Sequence, residues 1–255
     1  MSQGRPGRFF RVSVFILLIL VCAYLFLHSS FFAIDKIYVS GLHNVSQNEV
    51  IKLSGLSTGM NVFIINEKLS CQAIEIHPLI KSSIIIRHLP REIEIQVQER
   101  KIWALIPYQG SLLCVDEEGI CIDKLNYFSM TDYPVITMDK VPEYVTLGQV
   151  VDETGVKLAR KIWDALEPKQ QKEISQMHYR NQEKEILIFT NCGTEIRWGK
   201  ADRTEEKAAY FKQMLGLEQD MQEKGNDALD YVDLRFKGQP VVKTTMQAQE
   251  QKTYG

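Results

Sequence analysis

The distribution of apolar and polar residues separates one continuous apolar segment from a longer part with alternating patterns. Residues 12–27 read VSVFILLILVCAYLFL, and no Asp, Glu, Lys or Arg follows until Asp35. About 20 apolar residues in a helix are enough to cross a bilayer. The pattern therefore predicts a transmembrane helix over residues 12–33, preceded by a short tail at 1–11.

Three arginines lie in this tail, and the first positions after the apolar segment carry none. This asymmetry predicts a cytoplasmic N-terminus with the rest of the chain outside, a single-pass type II topology. The alternative is a cleaved secretory signal, which needs small residues at its cleavage site. The segment ends in the bulky Phe31 and Phe32, which favours a retained anchor.

Short alternating and helical patterns fill residues 34–101. Strand-like alternation at 34–40 is followed by two helices, which Ser46 and Asn66 are predicted to cap. The second helix is expected to turn Leu69, Ala73 and Ile74 inward. Strands at 81–88 and 91–100 come next, and the last of them places Ile93, Ile95 and Val97 on one face. The pattern predicts a β-α-α-β-β domain with both helices on one face of a three-stranded sheet.

Residues 102–243 are predicted to form a second, larger domain of short strands and two helices. The helices are expected at 153–166 and from Asp202 or Thr204 to about 224, and the strands at 102–106, 111–115, 120–124, 185–190, 194–198, 231–236 and 240–243. The fold class is therefore α+β, with a mixed sheet in the second domain. The polar segment 244–255 is predicted to be a disordered tail.

Composition narrows the possible functions. The net charge of −2 and the pI near 6.2 argue against nucleic-acid binding, which requires a strong basic excess. The five cysteines and five histidines show no metal-ligand spacing, so no metal or other cofactor is expected. If Val115 pairs with Ile120, Cys114 and Cys121 oppose each other within disulfide range. Two free thiols facing a core are the favoured alternative.

Two short motifs suggest catalysis but fit it poorly. GLSTG at 55–59 matches the G-x-S-x-G pattern, yet a helix precedes it where a nucleophile elbow needs a strand. GTEIRWGK at 193–200 has one residue too many for a phosphate-binding loop, and its alternation predicts a strand. No catalytic residue and no small-molecule substrate are therefore predicted.

Several motifs occur together in an order that resembles a known family. They are His77-Pro78, IIIRHLPREIEIQVQER at 84–100, LCVDEEG at 113–119, GTEIRWGK at 193–200 and YVDLRF at 231–236. With the apolar segment upstream, this order is similar to the FtsQ/DivIB family of bacterial cell-division proteins, which have a POTRA domain and a C-terminal β domain. The segment from 126 to about 184 resembles the family least.

The resemblance implies a non-enzymatic membrane scaffold at the division septum. It implies partners of the FtsL and FtsB/DivIC types, small bitopic proteins, and through them the septal peptidoglycan synthase complex. Carried over by motif, partner contact is expected at Arg235, Phe236 and Gly238, with Arg197 as a weaker candidate. An edge strand there would offer unpaired backbone groups to another chain.

Each of these assignments has an alternative. Arg235 could instead form an ion pair with Asp233 or Glu195, and Phe236 could pack in the core. For the whole chain, the alternatives are an extracytoplasmic enzyme on a signal anchor and a POTRA module in protein export. An enzyme would need a convergent polar pocket. An export module would be favoured by tandem POTRA repeats, which the sequence does not contain.

Overall fold

The protein is described here by a computed structural model that covers residues 6–126, 133–223 and 228–245. It divides into two compact units, Met1–Arg100 and Lys101–Gly255. The disorder predicted for the tail lies almost entirely outside the described residues.

The first unit begins with helix α1, Pro6–Leu27, which is followed by a short 3-10 turn, Ser30–Phe32. Within the described part of the chain, α1 alone is long and apolar enough to cross a membrane, over Phe9–Leu27. It ends six residues before the expected limit of 33. The Ser29 hydroxyl donates to the Phe26 carbonyl at 2.7 Å and accepts from the Phe31 N–H at 3.3 Å, which closes the helix and starts the next turn.

The rest of the first unit has the predicted β-α-α-β-β order. Its elements are β1 (Lys36–Ser40), α2 (Gln47–Ser54), α3 (Glu67–Glu75), β2 (Ile80–His88) and β3 (Glu92–Glu99). The sheet order is β1-β3-β2, with β3 in the centre, parallel to β1 and antiparallel to β2. Ser46 and Asn66 cap the two helices as predicted, each accepting a backbone N–H three residues later.

The core of the first unit confirms the predicted register of β3. Ile93, Ile95 and Val97 are all buried. The predicted inner face of α3 is wrong in one position, because Leu69 is exposed while Ser70 and Ile74 are buried. These two residues are four positions apart and share the face toward the sheet, whereas Leu69 lies about 100° around the helix from Ser70.

The second unit contains nine strands and three helices among the described residues. They are β4 (Ala104–Tyr108), β5 (Ser111–Val115), β6 (Cys121–Leu125), β7 (Ile136–Met138), α4 (Glu153–Asp164), α5 (Pro168–Lys172), β8 (Ile174–Arg180), β9 (Glu185–Thr190), β10 (Glu195–Gly199), α6 (Thr204–Glu223), β11 (Ala228–Asp233) and β12 (Val241–Thr245). β4, β5 and β6 form one sheet. The other six strands form a mixed sheet in the order β12-β11-β10-β9-β8-β7.

One hydrophobic core joins the helices of this unit to the inner faces of its sheets. The Trp198 and Phe211 rings meet edge to face, with centroids 6.4 Å apart. Gly155 of α4 lies against the Tyr179 ring of β8, where an added Cβ would come within 2.5 Å of a ring carbon. The close approach of this helix to the sheet therefore requires glycine at position 155.

The hairpin of β5 and β6 has a different register from the one considered for a disulfide. Val115 pairs with Cys121, and Cys114 pairs with Asp123 across a β-bulge. The two cysteines are thus not direct cross-strand neighbours. Both are buried free thiols, and burial raises the pKa of the Cys114 thiol to about 11.

Candidate functional site

The predicted site residues lie at one end of the six-stranded sheet, on β10 and on the connection between β11 and β12. β11 runs parallel to β10, so the chain must cross over between them, and α6 forms this connection. β12 then turns back antiparallel to β11 and ends the sheet. The sequence motifs at 193–200 and 231–236 therefore become neighbours in space.

Arg197 is fixed on the face of β10 that points away from the core. Its guanidinium carbon lies 3.9 Å from the centroid of the Tyr231 ring, a cation–π arrangement. Its Nε donates to Glu195 at 2.7 Å, and this hydrogen bond raises the pKa of Arg197. Arg197 therefore presents a permanently charged, stacked guanidinium that is about one-third exposed.

Arg235 is held by a carboxylate two residues earlier. Asp233 is buried and accepts four hydrogen bonds from three donors of Arg235, at 2.7–3.2 Å. The donors are the backbone N–H, a terminal nitrogen, and Nε, which donates to both carboxylate oxygens. Burial alone would raise the pKa of Asp233, but the bonds from Arg235 outweigh it and the pKa is lowered. Glu185 lies 3.6 Å from the same guanidinium. The ion pair with Asp233 that the sequence analysis considered for Arg235 is therefore present in the structure.

Phe236 does not pack in the core. Its side chain is 66% exposed, beyond the end of β11, although the sequence pattern had extended the strand to 236. The Arg235 guanidinium lies 5.7 Å from the centroid of the Phe236 ring. Gly238, with a φ of +102°, is in the same connection, and an added Cβ there would meet nothing within 4 Å. Its contribution is conformational freedom in the turn.

A residue that sequence reasoning missed holds this turn in place. The Arg203 guanidinium donates to three consecutive carbonyls, those of Leu234 at 3.3 Å, Arg235 at 3.0 Å and Phe236 at 3.1 Å. We call residues 234–240 the Arg203-clamped turn. Arg203 lies more than 30 positions earlier in the sequence than these carbonyls, so no local pattern connects them.

β12 is an edge strand, and its outer side pairs with no other strand in the described part of the chain. Val241 and Val242 are each about half exposed. Lys243 reaches back to β11, where its Nζ lies 2.7 Å from Asp230. Pro240 directly precedes the strand, a position where its missing N–H breaks no ladder bond. The site therefore combines free backbone groups, apolar side chains and fixed charges.

The sequence predictions for the site are brought together by the fold. Arg197 pairs in register with Asp233, and its carbonyl accepts the Leu234 N–H at 3.0 Å, so it lies beside Arg235 and the Arg203-clamped turn. Tyr231 was missed as the platform for Arg197, because the parallel register of β10 and β11 was not known. Among the described residues, no group of three or more His, Cys, Asp and Glu could hold a metal ion.

Comparisons with known proteins match both units of the chain. The family described as "POTRA domain, FtsQ-type" matches residues 32–100, and the family described as "Cell division protein FtsQ/DivIB, C-terminal" matches 104–235. Cell division protein DivIB of Clostridium botulinum (strain Loch Maree / Type A3) is 26% identical over 235 residues, which cover 90% of this chain and 89% of that protein.

Two further relatives are similar over shorter parts. Cell division protein DivIB of Staphylococcus aureus (strain NCTC 8325 / PS 47) is 24% identical over 190 residues, which cover 74% of this chain but 41% of that protein's length. Cell division protein FtsQ of Anaeromyxobacter sp. (strain K) is 28% identical over 189 residues, which cover 73% of this chain and 63% of that protein. With both units matched in order, the chain belongs to the FtsQ/DivIB family of cell division proteins.

Proposed function

We propose that this protein is a non-enzymatic, single-pass membrane scaffold of the bacterial division septum. Helix α1 anchors it in the cell membrane with the N-terminus in the cytoplasm, and both folded units lie outside. It binds FtsL-type and FtsB/DivIC-type bitopic proteins and links them to the septal peptidoglycan synthase complex. The family membership supports the division role, as does the similarity to proteins named cell division protein DivIB.

The observation that carries the proposal is the open edge of β12 beside an exposed aromatic side chain. An edge strand can accept a strand from another chain through main-chain hydrogen bonds, while flanking side chains select the partner. Here Val241 and Val242 are exposed on the edge strand itself, and the exposed Phe236 lies five residues before it on the Arg203-clamped turn. Arg197 and Arg235 add charge that their carboxylate partners hold in place.

Backbone pairing is tested by hydrogen exchange with an FtsB/DivIC-type partner segment. The full chain in detergent micelles is compared with and without this segment, and we expect the β12 amides to become protected when it binds. Deleting residues 236–243 should abolish binding while the first unit keeps its melting temperature. Unchanged exchange at β12, together with full binding by the deletion variant, would place the interface elsewhere.

Phe236→Glu tests the side-chain contribution. Because the ring is exposed, the variant should fold normally, and the acidic group should weaken binding by opposing an apolar contact. Tyr144→Glu is the matched control, since Tyr144 is also an exposed aromatic residue in the second unit, 77% exposed, outside the site. Equal affinity of the two variants would remove Phe236 from the interface.

A further inference from the structure

Three apolar side chains are exposed where α1 joins the first unit. Phe31, in the 3-10 turn, is 52% exposed, and Phe63 and Ile64, in the loop between α2 and α3, are 43% and 64% exposed. We call these three residues the juxtamembrane patch. Single exposed apolar residues are normal on protein surfaces, so the inference depends on how these three are connected.

A chain of ring contacts links the patch to the last turn of α1. The Phe26 and Phe31 centroids are 5.6 Å apart, those of Phe31 and Phe32 are 5.0 Å apart, and those of Phe32 and Phe63 are 4.9 Å apart. Phe32, in the middle, is buried. The patch is therefore continuous with the apolar surface of the helix.

Asn61 holds the patch to the end of the helix. Its Nδ2 donates to the Leu27 carbonyl at 2.7 Å, and its Oδ1 accepts the Phe63 N–H at 2.9 Å. The Phe32 carbonyl also accepts the Val62 N–H at 2.9 Å. One side chain thus joins the last turn of the helix to the loop that carries Phe63 and Ile64.

Arg87 of β2 fixes the loop from the other side. It donates to the carbonyls of Val62 at 3.0 Å and Ile65 at 3.2 Å, on either side of Phe63 and Ile64. A terminal nitrogen of the same guanidinium is 2.7 Å from Glu67. The two apolar side chains therefore project from a loop that is tied at both ends.

The length of α1 sets the depth of the patch. The 19 residues of Phe9–Leu27 rise about 28 Å at 1.5 Å per residue, close to the roughly 30 Å hydrocarbon core. Leu27 then lies at the outer boundary of this core, and Asn61 is bonded directly to it. At this depth, where lipid headgroups begin, segments that lie in the interface bury Phe and other apolar side chains in the boundary between headgroups and acyl chains.

We propose that the juxtamembrane patch inserts into the interfacial layer of the outer leaflet and docks the first unit on the lipid surface. The inference rests on the proposed membrane anchoring by α1. Lipid is the occupant because the patch continues the apolar surface of a membrane-spanning helix without a break. The first unit would then have a fixed orientation at the membrane.

The experiment places a tryptophan in the patch and measures its quenching by nitroxide-labelled lipids. Full-length Ile64→Trp and Phe31→Trp variants are reconstituted in vesicles of equal parts phosphatidylcholine and phosphatidylglycerol, with the nitroxide near the glycerol backbone in both leaflets. The unsubstituted chain contains three tryptophans, all beyond residue 100, and its signal is subtracted. We expect the label to quench most of the difference fluorescence of both variants.

Ile84→Trp is the matched control. Ile84 is 61% exposed on β2 and pairs with Gln96 of β3. Glu92 of β3 pairs with Lys36, the first residue of β1. Ile84 is therefore four residues along the sheet from the end at which β1 begins. Its difference fluorescence should be quenched little. Circular dichroism and the melting temperature establish that the three variants fold equally.

Vesicle flotation separates the two hypotheses. If the chain floats with the vesicles and residues 31 and 64 are quenched no more than residue 84, the patch does not insert, although the anchor holds. If the chain does not float, the proposed anchoring is wrong and the docking inference fails with it. If the chain floats and quenching is strong at residues 31 and 64 but weak at residue 84, both the membrane anchoring and the docking of the patch are supported.

Discussion

The Arg203 side chain makes the most specific prediction about the candidate site, because it shapes the Arg203-clamped turn without belonging to its exposed surface. Only 18% of this side chain is exposed. Arg203→Ala removes all three hydrogen bonds to the carbonyls of 234–236 at once. We expect the turn to loosen and partner affinity to fall, while Phe236 itself is unchanged.

The structure sets the size of the effect. The Phe236 carbonyl belongs to an exposed residue, so water can replace its lost bond at little net cost. Leu234 is 3% exposed, and leaving a buried acceptor unsatisfied costs about 1–3 kcal/mol. We expect a comparable loss of unfolding free energy. The same free energy can also disfavour the turn conformation that binds the partner. In that case the affinity should fall about 10-fold for each 1.4 kcal/mol lost.

Hydrogen exchange at residues 234–240 and titration with the FtsB/DivIC-type segment measure the two effects in the full chain. Arg203→Lys is the control, because an ammonium keeps the charge but lacks the planar, five-donor geometry that reaches three carbonyls. It should recover only part of the protection. If Arg203→Ala exchanges and binds like the unsubstituted chain, the clamp has no part in shaping the site and the reasoning is refuted.

Two further predictions concern the first unit. Ile95→Ala should lower the free energy of unfolding by about 2–5 kcal/mol, because the side chain is fully buried on the central strand. Gln96 is exposed, and Gln96→Ala should change it by less than about 0.5 kcal/mol. Equal midpoints of urea unfolding for the two variants would mean that the register is wrong. The Glu99 carboxylate is buried, which alone would raise its pKa, but backbone N–H groups of 43–45 outweigh this and lower it. Its stabilising effect is therefore complete above the ordinary glutamate pKa of about 4.3 and is lost as pH falls through the lower folded value. The stability advantage over Glu99→Gln, measured by urea unfolding, should shrink in acid, and a pH-independent difference would contradict this explanation.

The sequence predicted the elements whose side chains alternate without interruption. β3 alternates apolar and polar residues along its length, so both its extent and its buried face followed from the pattern. β8 was missed because Met177 and Tyr179 are the buried residues among its seven, too few apolar positions for a clear alternating pattern. β7 was missed because it has only three residues, too few for a periodic signal.

The candidate site was predictable only where its contacts are local. The ion pair of Asp233 and Arg235 joins residues two positions apart, and the sequence suggested it directly. The stacking of Arg197 on Tyr231 depends on a parallel register across the α6 connection, which no short-range pattern encodes. Arg203 contacts backbone carbonyls, which every residue has. The residue types at 234–236 therefore do not indicate these contacts in the sequence.

The open edge of β12 offers the same free backbone groups to a second copy of the protein as to a different partner chain. A backbone edge alone does not distinguish a partner strand from a second β12. The middle residue of β12 is Lys243. An antiparallel pairing of two β12 strands centred on this residue would place the two lysines opposite each other, and like charges in that position are destabilising. Asp230 pairs with each lysine at 2.7 Å and reduces this repulsion without removing it, so Lys243 makes a second β12 a poorer partner than a strand with an acidic or neutral residue at that position.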